Sequence, residues 1–337
     1  MLLRVSNKDP IRFLIILSIF IFCLFQESYG NASFSPRFHN LTVKDGLSDS
    51  RINVIVQDHH GFMWFGTQNG LNRYDGNGFM IFKTETGNPK SLSGNAITGL
   101  IVDEKEDILW VGTRNGLSTI NIKTLNIKRI DLGGNNVIRT INEGRDSILW
   151  LGTHSGVIKF NKKSGDYKIY NSENSGLSNN KVRAVHKDND GNLWVGTFDK
   201  LNKLVHDSCR FQIIDLKRDF GGSSIDNNLI LSILPYGQNN DSLLWVGTQT
   251  GLYIYNRYSG DHIAFYGKSS AHLSNEVIKT LHRSDSNNLW IGTDFGLTCL
   301  HPAWDSSDLY YHDIHDQYSL INNVVWSIYE DRSGKLW

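Results

Sequence analysis

Six copies of one tetrapeptide, Trp-x-Gly-Thr, divide most of this chain into segments of similar length. The copies begin at Trp64, Trp110, Trp150, Trp194, Trp245 and Trp290, and a further tryptophan, Trp337, ends the sequence. Successive tryptophans lie 40 to 51 residues apart, a period typical of a four-stranded propeller blade. The repeat therefore predicts an all-β fold, a β-propeller of four-stranded blades with six complete blades and the start of a seventh.

Each copy divides into four predicted strands, a to d, arranged around the tetrapeptide. Strand a carries an apolar triplet such as Ile52/Val54/Ile55, and the middle member of the triplet is small in most copies. Small side chains are expected where the innermost strands crowd around a propeller axis. An Asp-x-x-Gly turn leads into the tryptophan strand b, and a Gly-Leu hairpin leads into strand c. The tryptophans of the six complete copies are predicted to be structural, wedged between neighbouring blades.

The two ends of the sequence differ from the repeats. Basic residues precede an apolar run at 13–25 and the small residues Ser28 and Gly30, which is the pattern of a secretory signal. We therefore expect a signal peptide over residues 1–30 and an exported propeller over 31–337. Because the seventh copy stops at its tryptophan, the sequence is expected to be a fragment of a longer protein. Residues 38–42 are expected to form an outer strand that closes the last blade.

Charge and motifs argue against several functional classes. Lys plus Arg equals Asp plus Glu at 34 each, so no global field is available to hold nucleic acid. The sequence contains no nucleophile elbow, phosphate-binding glycine loop or His-Glu-x-x-His zinc motif. We therefore expect no catalytic residue, no metal site and no cofactor, and we interpret His59-His60 as solvated surface.

One position varies from copy to copy while its neighbours repeat. It directly follows Trp-x-Gly-Thr and is occupied by Gln68, Arg114, His154, Phe198, Gln249 and Asp294. The hairpin between strands b and c shares one face of a propeller with the mouth of the central channel, where ligands often bind. These six residues are therefore predicted to ring one opening and to bind a ligand there. The polar members would bond sugar hydroxyls and Phe198 would stack on a ring.

The pattern also resembles a known family. Asp45-Gly-Leu-Ser48, followed by Asp-x-x-Gly-x-x-Trp-x-Gly-Thr-x-x-Gly-Leu-x-x-Tyr-Asp over residues 58–75, is similar to the two-component regulator propeller repeat. The resemblance implies the periplasmic sensor region of a hybrid two-component histidine kinase, in which a small carbohydrate ligand controls utilisation genes. It further implies a parent protein, anchored in the inner membrane, with a second propeller, an Ig-like module and kinase domains, and a homodimer formed through that parent.

A second interpretation remains open at this point. A stand-alone secreted propeller would also fit the repeats, either as a carbohydrate-binding scaffold or as a polysaccharide-active enzyme. The two interpretations differ in the reading frame beyond Trp337, because only the sensor requires kinase domains.

Overall fold

In the described residues, the regular structure is almost entirely β-strand. The computed structural model describes residues 36–134, 136–145, 147–205, 209–216, 228–236, 242–268, 270–302 and 306–337. The chain divides into two units, residues 1–38 and 39–337. In the first unit the described residues, 36–38, are irregular, and the predicted signal peptide lies outside the described residues. No helix in the described ranges is long and apolar enough to span a membrane.

The second unit contains six four-stranded antiparallel sheets, which confirms the predicted blade. Sheet 1 consists of β1 to β4 at Ile52–Gln57, Met63–Thr67, Gly70–Tyr74 and Phe79–Phe82. Sheet 2 consists of β5 to β8 at Ile97–Asp103, Ile108–Thr113, Gly116–Asn121 and Ile127–Ile130. Sheet 3 consists of β9 to β12 at Ile138–Glu143, Ile148–Thr153, Gly156–Asn161 and Tyr167–Tyr170.

The remaining three sheets follow the same order. Sheet 4 consists of β13 to β16 at Val182–Lys187, Leu193–Thr197, Leu201–Val205 and Arg210–Ile214. Sheet 5 consists of β17 to β20 at Ile230–Pro235, Leu243–Thr248, Leu252–Asn256 and His262–Tyr266. Sheet 6 consists of β21 to β24 at Ile278–Arg283, Leu289–Thr293, Leu297–Leu300 and Ser307–Tyr310. In each sheet the strands pair in sequence order, so they correspond to strands a to d. Each strand a packs beside strand a of the next sheet, from β1 through to β21.

Two short helical segments complete the regular structure of the described residues. One is a 3₁₀ turn at Val43–Asp45 and the other, α1, is at Ser172–Ser175. Residues 38–42 were expected to form an outer strand. That prediction is wrong for residues 39–42, which belong to no strand. Thr42 instead caps the 3₁₀ turn, because its side chain accepts a hydrogen bond from Lys44 N while the Asp45 carboxylate accepts one from Thr42 N at 2.7 Å.

Five of the six strand-b tryptophans lie between neighbouring sheets, and Trp290 is the exception to the prediction. Trp64 and Trp194 are fully buried, and each shares a hydrophobic cluster with residues of the following sheet, such as Ile97 for Trp64 and Ile230 for Trp194. Trp110, Trp150 and Trp245 lie in equivalent clusters. Trp290 is only partly buried and stacks on Tyr310 within its own sheet.

The glycine of the tetrapeptide allows the next sheet to approach closely. A Cβ added at Gly66 would lie 2.6 Å from Ile97 Cγ2, and one added at Gly112 would lie 2.6 Å from Ile138 Cγ2. The other four copies place a side chain of the following triplet within 2.8 Å of the same position. At such distances a Cβ fits only if a neighbouring group shifts, so glycine recurs because two adjacent sheets meet there.

The Asp-x-x-Gly turn holds the tryptophan ring by a buried hydrogen bond. Trp64 Nε1 donates to Asp58 Oδ2 at 2.7 Å, and the other oxygen of this fully buried carboxylate accepts from His60 N and Phe62 N. Trp194 and Asp188 repeat this bond at 2.9 Å. In sheet 2, which lacks the turn, Trp110 Nε1 has no hydrogen-bond partner among the described residues.

Candidate ligand site in the central channel

A β-bulge interrupts strand a at the same place in all six sheets. In sheet 1 the pairing passes from Ile52↔Thr67 to Val54↔Gly66 and leaves Asn53 unpaired. The other five sheets skip one residue at the corresponding point. A bulge leaves an extra residue whose side chain is directed away from the regular alternation. The residues skipped are Asn53, Thr98, Arg139, Arg183, Leu231 and Lys279.

All six bulge residues line one cavity at the centre of the ring of sheets. The cavity has a volume of about 300 Å³ and is also lined by triplet residues that follow each bulge, such as Val54 and Ile141. Trp326, which occupies the same place in the sequence Val325-Trp326-Ser327, contributes to the same lining. A volume near 300 Å³ is the lower end of the range usual for small-molecule sites.

The lining of this cavity is strongly cationic. Five of the residues around it carry a positive charge and none of the lining residues is acidic. They come from five different sheets and are Arg51, Arg114, Arg139, Arg183 and Lys279. The overall charge of the chain is zero, so the channel concentrates positive charge that is balanced elsewhere on the molecule.

Burial and the proximity of other cations lower the pKa of three of these arginines. Burial first, and then the neighbouring guanidinium groups, lower the pKa of Arg139 to about 10. The same two causes lower the pKa of Arg51 and of Arg183. In the described part of the chain, Arg114, Arg139 and Arg183 form no ion pair with a carboxylate. Arg139 and Arg183 are therefore partly dehydrated cations without a neighbouring acid, whereas Arg114, at the edge of the same cavity, is exposed.

Neighbouring side chains orient several of the cations. Arg139 Nε donates to His154 Nε2 at 2.8 Å, which requires His154 to be an acceptor at that nitrogen. Burial, followed by the charge of Arg139, lowers the pKa of His154. Arg51 lies over the Trp326 ring at 3.7 Å and Lys279 lies over it at 3.9 Å.

The six residues predicted to ring the opening occupy equivalent positions in their sheets. Each donates its backbone N–H to the carbonyl of the residue that precedes strand a, as Arg114 does to Ala96. The threonine before them holds the hairpin, because its hydroxyl donates to the carbonyl three residues later, as in Thr67 Oγ1 to Gly70 O at 2.8 Å. The full set is Gln68, Arg114, His154, Phe198, Gln249 and Asp294.

The side chains of this set do not all reach the cavity. Arg114 lines it, and His154 and Asp294 each contact a residue that does, since Asp294 pairs with Lys279 at 2.7 Å. The Phe198 ring lies edge-on to His154 with centroids 6.3 Å apart. Gln68 and Gln249 are not part of the lining. Of the six, Arg114 alone contributes to the lining, His154 and Phe198 lie near it beside sheets 3 and 4, and Asp294 lies beside Lys279 of sheet 6.

The bulge residues were missed by the sequence analysis although a signal for them exists. Within each apolar triplet, the residue between the first and second members changes freely from copy to copy. The hairpin position was selected because it varies within a repeated framework. The same argument selects this position as well. Periodicity alone would direct that side chain into a sheet interface, and only the bulge directs it into the channel.

One group of potential metal ligands occurs among the described residues, away from the cavity lining. His59, His60 and Asp107 place ligand atoms within 4.8 Å of one another. His59 Nε2 bonds Asp107 at 2.7 Å and Lys123 Nζ bonds the same carboxylate at 2.6 Å. The Asp107 carboxylate thus links the turn of sheet 1 to sheet 2 through its two oxygens, one toward His59 and the other toward Lys123.

The repeated Trp-x-Gly-Thr framework and the six four-stranded sheets define the class of this fold, a β-propeller. Three segments, residues 46–69, 176–199 and 319–337, match the family model described as two component regulator propeller. Each matched segment contains one of the three clean Asp-x-x-Gly turns, at Asp58, Asp188 and Asp331. These three segments therefore carry the two component regulator propeller repeat, which confirms the resemblance found in the sequence.

Similar proteins include a kinase and two solved propellers. A stretch of 78 residues is 33% identical to histidine kinase P4 of Formosa agariphila, covering 23% of this chain and 6% of that kinase. The extracellular domain of BT3049 from B. thetaiotaomicron, assigned to a hybrid two component system, superimposes with a TM-score of 0.77 at 22% identity, over 90% of this chain and 40% of that chain. A streptogramin B lyase has a TM-score of 0.63 at 15% identity, over 86% of this chain and 91% of its own. The two solved structures support the fold alone. The chain spans a small part of the kinase and less than half of the BT3049 chain.

Proposed function

We propose that this chain is the ligand-sensing propeller of a hybrid two-component histidine kinase. The observation that carries the proposal is the pairing of a repeated framework with one variable side chain per sheet directed into a single channel. A structural spacer would have no need of such a lining. The match to the regulator propeller repeat and the likeness to a histidine kinase support the connection with signalling.

We propose further that residues 324–337 form the inner part of a seventh blade. Tyr329 and Trp337 exchange backbone hydrogen bonds, and Trp337 Nε1 donates to Asp331 Oδ2 at 2.7 Å, as the corresponding residues do in sheets 1 and 4. Val325 lies against Gly292 as the earlier triplets lie against their glycines. Trp337 packs on Phe65 of sheet 1, which supports closure of the ring between its two ends.

The location and partners follow from the same proposal. Residues 1–30 would direct export and residues 31–337 would act in the periplasm, within a parent protein anchored in the inner membrane. Its partners would be a second propeller, an Ig-like module and kinase domains, with dimerisation through the parent. Fusing residues 1–337 to a reporter that is active only after export tests this: activity is expected with the leader and should disappear when residues 1–30 are deleted. Activity retained after that deletion would contradict the assignment.

The proposed ligand is a small carbohydrate bound at the channel mouth by the ring set Gln68, Arg114, His154, Phe198, Gln249 and Asp294. A glycan panel should be titrated calorimetrically against the full chain and against Arg114→Ala and Phe198→Ala. We expect at least one glycan to bind and both variants to weaken it. Lys90→Ala, an exposed residue outside the cavity lining, is the control. Binding that neither ring variant changes would remove this set from the site.

We propose that the chain itself is not an enzyme. The ring and bulge residues supply hydrogen-bond donors and charge without a paired nucleophile and base. The alternative, a stand-alone polysaccharide-active propeller, predicts new reducing ends or unsaturated products when glycans that bind are incubated with the chain. Recovery of the bound glycan unchanged is the outcome expected here.

A further inference from the structure

The charge of the channel restricts the chemistry of its ligand. The cations around the cavity come from positions scattered along the sequence, between residues 51 and 279, and only the ring of sheets brings them together. Lys279 is paired with Asp294 at 2.7 Å, and the carboxylate of Asp49 lies near Arg51, since it accepts from Arg51 N at 2.8 Å. Arg114, Arg139 and Arg183 have no comparable partner in the ranges that the structure describes.

Unpaired guanidinium groups in a recess are costly unless a counter-charge meets them. Arg139 is held by His154, a neutral acceptor, so the contact orients its guanidinium without neutralising it. Guanidinium groups present parallel N–H donors that match two oxygens of a carboxylate or sulfate. No acidic side chain lines the cavity, so a bound anion would meet no like charge from the wall.

We propose that this cavity binds an anionic group, a carboxylate or a sulfate ester, carried by a small sugar. Arg114, Arg139 and Arg183 form the anion subsite. Arg51 and Lys279, held against Trp326, add a favourable field from the opposite part of the ring. The anion subsite stands on the geometry of the channel, whereas the sugar that carries the anion rests on the proposed sensing function.

The volume of the cavity limits what can enter it. A space of about 300 Å³ accommodates one or two sugar units and excludes a folded partner. The apolar members of the lining, Leu231 and the triplet side chains, would face the carbon framework of the sugar. Recognition would therefore combine a charged group on the side of sheets 2 to 4 with an apolar contact on sheet 5.

The test uses the full chain and four probes: sodium sulfate, sodium glucuronate, glucose 6-sulfate and glucose. Binding is measured by titration calorimetry for the wild type and for the double variant Arg139→Gln/Arg183→Gln. The matched control, Lys90→Gln/Lys128→Gln, also removes two charges but at exposed positions outside the cavity lining. Circular dichroism and thermal melts establish that each variant is folded.

We expect the charged sugars to bind, glucose to bind far more weakly, and added sodium chloride to reduce the affinity. The double variant should bind charged sugars at least about tenfold more weakly, while the control remains as the wild type. Equal affinity of a folded double variant for the anions, or equal affinity of the wild type for glucose and its sulfate, would overturn the proposal.

Two further outcomes separate this inference from the sensing function. Neutral glycans that bind with an affinity unaffected by the double variant would leave the sensing function standing and remove the anion subsite. Sulfate that binds and is lost in the double variant, with no sugar binding in either form, would support the anion subsite and contradict carbohydrate sensing.

Discussion

The interface between two sheets and the wall of the channel are built from closely spaced residues of strands a and b, yet they follow different rules. At the interface, each copy repeats the same chemistry: a tryptophan, a glycine that admits the next sheet, and an apolar triplet. One residue away, the bulge positions hold amide, hydroxyl, guanidinium, aliphatic and ammonium side chains. The interface is thus optimised for packing, whereas the channel wall is free to carry charges that contribute little to stability.

The largest expected effect is at a buried tryptophan. Trp194→Ala should reduce the free energy of unfolding by about 3–5 kcal/mol, since it opens a cavity between sheets 4 and 5. Trp290→Ala is the matched control and should cost clearly less, because Trp290 is only partly buried. Denaturant unfolding of both variants tests this. A loss below about 1 kcal/mol for Trp194→Ala would contradict the interface role.

The glycine of the tetrapeptide should be the next most sensitive position. Gly112→Ala places a Cβ 2.6 Å from Ile138 Cγ2, so overpacking should reduce the free energy of unfolding by about 1–3 kcal/mol. Gly78 has no atom within 4 Å of an added Cβ, and Gly78→Ala should leave the midpoint of unfolding nearly unchanged. Equal midpoints of unfolding for the two variants would contradict the close packing of sheets 2 and 3 at Gly112.

Loss of the buried turn carboxylate should have an effect of similar size. Asp58→Ala leaves Trp64 Nε1 and the backbone N–H groups of His60 and Phe62 without their acceptor, which should cost about 1–3 kcal/mol. Asp75→Ala, in an exposed turn where the carboxylate accepts from Asn77 N and Gly78 N only, should cost less. Thermal melts at neutral pH compare the two, and a larger loss for Asp75→Ala would contradict this account.

The channel wall should be nearly neutral to stability. Arg139→Gln removes a partly dehydrated charge from a cationic cavity and loses one hydrogen bond to His154, so the free energy of unfolding should change by less than about 0.5 kcal/mol. Denaturant unfolding at neutral pH measures the change. A loss of unfolding free energy comparable to that of Gly112→Ala would show that the channel wall contributes to stability as much as the sheet interface does.

The smallest expected effect is a pH dependence at His154. Its pKa is lowered in the folded chain by burial and by the neighbouring cations, so the unfolded chain binds the proton more readily. Stability should therefore decrease slightly as the pH falls below 6.5, the ordinary value of a histidine, toward the lowered folded pKa. His154→Asn should remove that part of the slope. If His154→Asn left the dependence of stability on pH unchanged, that dependence would arise from other titratable groups.

The sequence was sufficient to predict the structural features that recur in every copy of the repeat. Trp64, its turn at Asp58 and the Gly-Leu hairpin recur often enough to fix four antiparallel strands per copy, and the structure confirms them. It was insufficient where a local departure from regular strand geometry, such as a cap or a bulge, determines the structure. Residues 39–42 have an extended pattern but Thr42 caps a 3₁₀ turn, and Arg139 alternates as an interface residue but faces the channel because of a bulge. Neither departure changes the periodicity from which the strands were predicted.

The bulge has a further consequence for how such a channel diversifies over generations. A replacement at Gly112 or Ile138 demands a compensating change across the interface, so those positions can be altered only together. Arg183 and Leu231 face open space, and a single replacement there resets one element of the lining while leaving the ring intact. Under the proposed sensing function, ligand preference can therefore change by single replacements at these positions while the packing between the sheets is retained.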